Sequence, residues 1–389
     1  MALGLSSAVV LSPSVGAVTS PVGAVGTSAT TPGWVTASGW ATSVSADSPT
    51  DAWIVQFCNG VNACRRGFAP YSLMHWDGTS WSSATSLPTI ILSSVLAESP
   101  SDAWAAGEDE EVPGGGGATV LHWDGERWTN SPITGGAVDS FLWALSADSP
   151  TDAWGVGYHD RVDGTSEPYI VHWNGTTWSQ VPSPSPGPGS TSYQLRSVSA
   201  VSSTDVWAVG FSTDATNADN AFILHWNGSN WLQFASPTST SEDAQLSSVS
   251  ATTGGGWAVG TTRTGDATFA PLVLRLSGGA WSEVNSPDPG GNVAMLNAVS
   301  TLSPTDAWIV GDSCPTGDCG LEDSLIEHWN GQAWAQVDAP FPTSYNELFA
   351  LATDGASDAW AVGLDQGVRA NKALSLRWNG KRWSNFWPA

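Results

Sequence analysis

The stretch from Leu195 to Pro237, LRSVSAVSSTDVWAVGFSTDATNADNAFILHWNGSNWLQFASP, decides how the chain folds. An SVSA run leads into S-x-x-D-x-W-A-V-G, a variable gap, L-H-W-N-G, two further residues and a tryptophan. The skeleton recurs seven times along the chain. The tryptophan of the D-x-W step stands at Trp53, Trp104, Trp154, Trp207, Trp257, Trp308 and Trp360, in steps of 51, 50, 53, 50, 51 and 52 residues. A second ladder follows at Trp81, Trp128, Trp178, Trp231, Trp281, Trp334 and Trp383. A period near fifty residues with strand-like punctuation predicts blades of a propeller, not separate domains.

Each repeat divides into four strand-like pieces. Strand a (Leu195 to Ala200 in the fourth repeat) has few charges and suits an inner strand buried between sheets. The S-x-x-D link turns into strand b, W-A-V-G, and strand c, ILHW, follows a variable loop. Asn-Gly or Asp-Gly then predicts a tight hairpin into strand d, with Ser277-Gly278 standing in its place in the fifth repeat. The predicted fold class is all-β, a seven-bladed β-propeller with four antiparallel strands per blade. Blades are expected over 41–87, 92–134, 141–184, 195–237, 246–287, 296–340 and 348–387, within one propeller domain of 33–389. The segment Gly33 to Trp40 is left as an extra edge strand or a plug.

Loop lengths point to one face. The a-to-b and c-to-d links are short and uniform, whereas the b-to-c and d-to-a links differ in every repeat. In an up-and-down blade the two variable links lie at the same end. One end of the ring is therefore a uniform base and the other carries the diversity, where function concentrates.

The 389 residues include 42 Gly, 24 Pro and 24 Trp with only 12% charged residues, which suits short strands joined by turns. The net charge of −24 argues against nucleic acid and against an anionic membrane surface, since both would be repelled. Residues 1–32 read as a signal-like or disordered segment whose apolar runs, broken by Pro13 and Pro21, are too short to span a bilayer. Cys58 with Cys64 and Cys314 with Cys319 form two local pairs. Small-loop disulfides are expected, and with them an extracellular or cell-surface location.

The repeats resemble bacterial extracellular seven-bladed propellers with tryptophan-rich D-A-W-A-V-G and H-W-N-G-x-x-W steps. WD40 propellers are similar in the step before strand b and at the end of strand c, but their Gly-His dipeptide is absent. Asp77-Gly78-Thr79-Ser80-Trp81 departs from the sialidase Asp-box by one residue, and the double glycines of kelch repeats are missing. Propeller lectins share the general plan.

His75, His122, His172, His225 and His328 recur before the strand-c tryptophan, and Asp51, Asp102, Asp152, Asp205, Asp306 and Asp358 at the a-to-b turn. Both sets read as structural, the imidazoles meeting a buried hydrogen bond and the aspartates accepting turn N–H groups. The tryptophans are expected to pack between blades, with exposed ones free to stack on sugar rings.

Residues that break the repeat are better site candidates. The second position of strand a reads Thr42, Ser93, Trp143, Arg196, Ser247, Asn297 and Phe349, and is expected to ring the variable mouth as a ligand-binding set. Trp143, Phe349, Arg196 and Asn297 would then make a polar-aromatic pocket. His159 and Asp160, with Arg196, are the catalytic candidates. The loop Glu108-Asp109-Glu110-Glu111 offers hard oxygens for Ca²⁺ but lacks the alternating spacing of a dedicated loop, so no cofactor is expected. The expected function is a monomeric, secreted protein whose variable face binds a glycan or other extracellular polymer. A carbohydrate-active hydrolase or lyase and a protein-interaction scaffold are the alternatives.

Overall fold

The computed structural model describes residues 39–58, 71–83, 90–112, 116–184, 190–237, 243–265, 268–287, 293–314, 323–341, 345–366 and 371–386. Seven four-stranded antiparallel units follow one another in sequence order a-b-c-d. In blade 4 the strands are Ser190–Ser202, Asp205–Asp214, Asp219–Trp226 and Trp231–Phe234. In the other blades strand a spans Gly39–Ser48, Ile90–Ser99, Ser140–Ser149, Ala244–Thr252, Val293–Ser303 and Asn346–Gly355. Strand b correspondingly spans Asp51–Cys58, Asp102–Asp109, Asp152–Asp160, Gly255–Gly265, Asp306–Cys314 and Asp358–Gln366. Ile133–Thr134 adds a fifth, parallel strand outside blade 3, and a parallel bridge from Phe269 to Val293 links blades 5 and 6. Each blade is complete in itself. Gly39 and Trp40 belong to strand a of blade 1, while 33–38 lie outside the described residues.

Tryptophans lock one blade to the next. The strand-b indole of each blade meets the strand-d indole of the following one nearly edge to face, at 4.8–5.5 Å and 74–89°. Trp360 of blade 7 meets Trp81 of blade 1 in the same way, and Arg377 Nη2 donates to Pro49 O at 2.7 Å across the closure. None of the described tryptophans is exposed. The ladders are therefore internal packing between blades, as expected, and none of their tryptophans is exposed to stack on sugar rings.

The serines of SVSA have a specific task. Strand a is the inner edge of its sheet, so half of its N–H groups lack a ladder partner. Ser43 and Ser45 accept the N–H groups of Val95 and Ala97, and Ser197 and Ser199 accept those of Val249 and Ala251, at 3.0–3.1 Å. Inner strands are thus stitched to their neighbours through hydroxyl groups.

The repeated histidines and aspartates are partners of each other. His122, His172, His225 and His328 place Nε2 2.8–2.9 Å from Oδ1 of Asp102, Asp152, Asp205 and Asp306, and His75 meets Asp51 likewise. The aspartates face these imidazoles as well as turning the chain, a correction to the turn N–H role read from sequence. Arg377 replaces histidine against Asp358 at 2.6 Å. Blade 5 has Gly255 in place of aspartate, and its Arg275 stacks over Trp257 and Trp329 instead.

The c-to-d hairpins also differ from expectation. Trp226 pairs with Trp231, so Asn227 to Asn230 form a four-residue loop, not a two-residue one. Asn227 Oδ1 accepts the N–H groups of Ser229 and Asn230 at 3.0 Å, and Gly228 adopts φ +88°. Blade 5 alone has the two-residue turn, Gly278-Gly279, with both φ values positive.

Candidate functional site

Glycine in W-A-V-G positions the candidate residues. A Cβ on Gly210 would lie 1.9 Å from Gln194 O, and Gly107, Gly157, Gly260, Gly311 and Gly363 meet strand a at 1.8–2.0 Å in the same way. Strand a comes this close because it bulges there. The register skips one residue between Ala41 and Ser43, Leu92 and Ser94, Leu142 and Ala144, and Leu195 and Ser197. It skips again between Leu246 and Ser248, Leu296 and Ala298, and Leu348 and Ala350. The skipped residues are Thr42, Ser93, Trp143, Arg196, Ser247, Asn297 and Phe349, all half-buried. A bulge re-aims the extra side chain.

Each re-aimed side chain meets what its chemistry allows. Ser93 Oγ reaches Ala106 O in its own blade and Leu142 O in the next. Thr42 Oγ1 donates to Val55 O at 3.5 Å, and Asn297 Nδ2 donates to Asp312 Oδ1 at 2.8 Å and Leu348 O at 2.9 Å. The Arg196 guanidinium lies over the Trp143 ring at 4.3 Å and over Phe211 at 5.4 Å. The four proposed pocket residues therefore sit as two pairs on adjacent blades, Trp143 with Arg196 on blades 3 and 4, and Asn297 with Phe349 on blades 6 and 7. Ser247 makes no side-chain hydrogen bond among the described residues.

The residue after the W-A-V-G glycine belongs to the same surface and was missed in the repeat comparison. It reads Phe57, Glu108, Tyr158, Phe211, Thr261, Asp312 and Leu364, and its variability was the available signal. Phe211 supports Arg196 and Asp312 accepts from Asn297. Asp219, at the start of strand c in blade 4, accepts from Thr213 Oγ1 at 2.6 Å and from Gln245 Nε2. Asp243 accepts the N–H of Asp219 at 3.0 Å and pairs with Arg263 at 3.1 Å.

Electrostatics at this end follow from burial among acids. Burial, then Glu110, Asp139 and Asp160, push the Glu108 carboxyl up to about 7. Burial also raises the Tyr158 phenol, with Asp160 and Glu108 adding to it. Burial lowers Arg196 to about 10, which still leaves it charged at neutral pH.

His159 and Asp160 do not face one another. Strand b runs without a bulge here, so Tyr158 and Asp160 share one side and His159 takes the other. His159 lies 3.9 Å from Glu167 and edge-on to Tyr169, while Asp160 accepts from Ser166 Oγ at 2.6 Å. Among the described residues no three or more His, Cys, Asp or Glu side chains gather in a way that would hold a metal ion. Cys314 is buried at the end of strand b in blade 6. Cys64, Cys319 and the side chain of Cys58 lie outside the described residues.

The fold and this face define a seven-bladed β-propeller with a uniform base and a variable opposite end. Comparison with solved structures agrees on the fold. The chain is similar to YCF48 bound to a D1 peptide, at 15% identity over 89% of this chain and 94% of that one, with a TM-score of 0.54. It is similar to the GH74 xyloglucanase of Xanthomonas campestris, at 13% identity over 90% of this chain and 55% of that one, with a TM-score of 0.55. The propeller domain of the trilobed protease from Pyrococcus furiosus matches at 8% identity over 90% of this chain and 99% of that one, with a TM-score of 0.53. No family matches the chain by sequence, and no curated protein matches it.

Proposed function

We propose that the chain is a secreted binding protein whose variable face recognises a glycan or another extracellular polymer. The observation that carries this reading is the division of labour between the two ends. At the base, the repeated His, Asp, Asn and Trp side chains are consumed in bonds within the fold. At the other end, residues that differ between blades are re-aimed by bulges and present aromatic and polar groups, with Arg196 unpaired among the described residues. Binding needs no convergent acid, base or nucleophile, and the separation of His159 from Asp160 suits it better than catalysis. Aromatic surface for sugar rings falls to the half-buried Trp143, Tyr158 and Phe349 in place of the ladder tryptophans. Cys58–Cys64 and Cys314–Cys319 disulfides belong to the proposal, and thiols that alkylate only after reduction are the expected mass-spectrometric result. The direct test is a titration against a panel of cell-wall and extracellular polysaccharides. Saturable binding weakened by Phe349→Ala is expected; no binding to any chemotype would overturn the reading.

A further inference from the structure

Arg196 is chemically out of place. It stands on the inner strand of a protein with 12 basic and 36 acidic residues, yet among the described residues no hydrogen bond or ion pair holds its guanidinium. Its contacts are the rings of Trp143 and Phe211. The acid whose charge it feels, Asp219, is hydrogen-bonded instead to Thr213 and Gln245 and makes no ion pair with it. Tyr158, the other group that its charge feels, is a neutral phenol at ordinary pH because burial raises its ionisation. A half-buried guanidinium that makes no direct ion pair is incompletely compensated for the water it has lost. Cation–π contacts to Trp143 and Phe211 offset part of that loss and leave the N–H donors of the fork without a partner among the described residues. Such a residue is open to a ligand that supplies an anion.

We infer that Arg196, braced by Trp143 and Phe211, is an anion-recognition residue that takes a single carboxylate on an otherwise neutral, hydroxyl-rich ligand, such as a uronic-acid residue in a neutral glycan. The inference rests on the proposed glycan-binding role of this face. Three features set the ligand class. A fixed guanidinium fork pairs best with a planar carboxylate, through two parallel hydrogen bonds. A polyanion is repelled by the net charge of −24 and by the acids gathered around Glu108 (Asp109, Glu110, Asp139 and Asp160), so one negative charge per bound unit is favoured. Tyr158 and Asp219, the two groups that its charge feels, and Gln245, which is bonded to Asp219, exchange hydrogen bonds readily with hydroxyl groups, which favours a sugar body.

Methyl glucuronide, its neutral methyl ester, methyl glucoside and acetate are the probes, titrated calorimetrically and by saturation-transfer NMR against the whole chain. The glucuronide is expected to bind roughly tenfold or more tightly than its ester, as the loss of a charge-assisted hydrogen bond requires. Arg196→Gln is expected to remove that preference. Arg196→Lys, which keeps the charge and drops the fork, retains a weakened preference, and thermal melts of both variants establish that they are folded. Equal binding of acid and ester, or an unchanged preference in folded Arg196→Gln, overturns the inference while leaving the glycan reading standing. Arg196-dependent binding of acetate with no binding of any sugar keeps the carboxylate site and overturns the sugar body and the glycan reading. No binding of any probe overturns both. Preferential, Arg196-dependent binding of an acetylated dipeptide carboxylate would reassign the ligand to a peptide end.

Discussion

Glu327 shows how a single buried group sets the pH response of this molecule. It has no exposed surface on strand c of blade 6 (Asp323–Trp329), and burial pushes its carboxyl up to about 7 although Ser286 Oγ donates to it at 2.5 Å. The folded state then holds this proton more tightly than the unfolded chain, whose carboxyl keeps the ordinary value of 4.5. Stability from this group is therefore full below the unfolded value, falls as pH rises through the folded one, and levels off above it. Thermal melts between about pH 5 and pH 8 are expected to show Glu327→Gln gaining on the parent as pH rises, by roughly 2–3 kcal/mol at the upper end. Identical pH dependence in the two proteins would contradict the assignment. At this scale the repeats disclosed the role of some residues and hid others. Aspartate at the a-to-b turn and histidine before the strand-c tryptophan were recognisable as structural, but their pairing links positions about twenty residues apart in the chain. Glu327 replaces an apolar residue in one blade only, and nothing local marks it as buried.

A strand in this propeller is defined by its bulges as much as by its ladder. In six blades strand a bulges a second time near the base, at Asp47, Glu98, Asp148, Val201, Leu302 and Asp354. In six blades the first bulge is faced by the strand-b glycine, and in blade 1 by Gln56. Gly210→Ala places a methyl group against Gln194 O and is expected to cost about 3 kcal/mol or more, because backbone and not a flexible side chain must yield. Gly279→Ala, at φ +79° with nothing within 4 Å, is expected to cost only about 1–2 kcal/mol. Urea unfolding midpoints compare the two, and a Gly210→Ala protein as stable as the parent would contradict the bulge account. The four strands per blade were legible because apolar and turn residues recur at fixed offsets. The four-residue hairpin was not, since Asn-Gly serves a two-residue turn and this Asx-capped loop equally well. The bulge has no letter of its own; only the glycine that faces it in six of the seven blades is visible in the repeat, with Gln56 in its place in blade 1.

Across the whole molecule, the interlocking indoles make the ring and the acids dress it. The strand-b tryptophan of each blade packs into the next, and Trp360 against Trp76 and Trp81 closes the circuit without a strand from the opposite terminus among the described residues. Carboxylates cluster toward the base on adjacent blades, where burial and then Asp102, Asp148 and Asp47 push Glu98 up to about 7. The ring and its variable end could be read from the period and the loop lengths. The stacking of Arg196 on Trp143 could not, because it joins two irregular positions 53 residues apart in different blades. The central claim is that the shared repeat is scaffold and the unshared residues are the site. Hydrogen exchange of the chain with and without saturating methyl glucuronide tests it most directly. The account predicts added protection confined to 139–144, 157–161, 193–197 and 210–220, at the variable ends of blades 3 and 4. Protection appearing instead at the a-to-b and c-to-d turns of the base would contradict it.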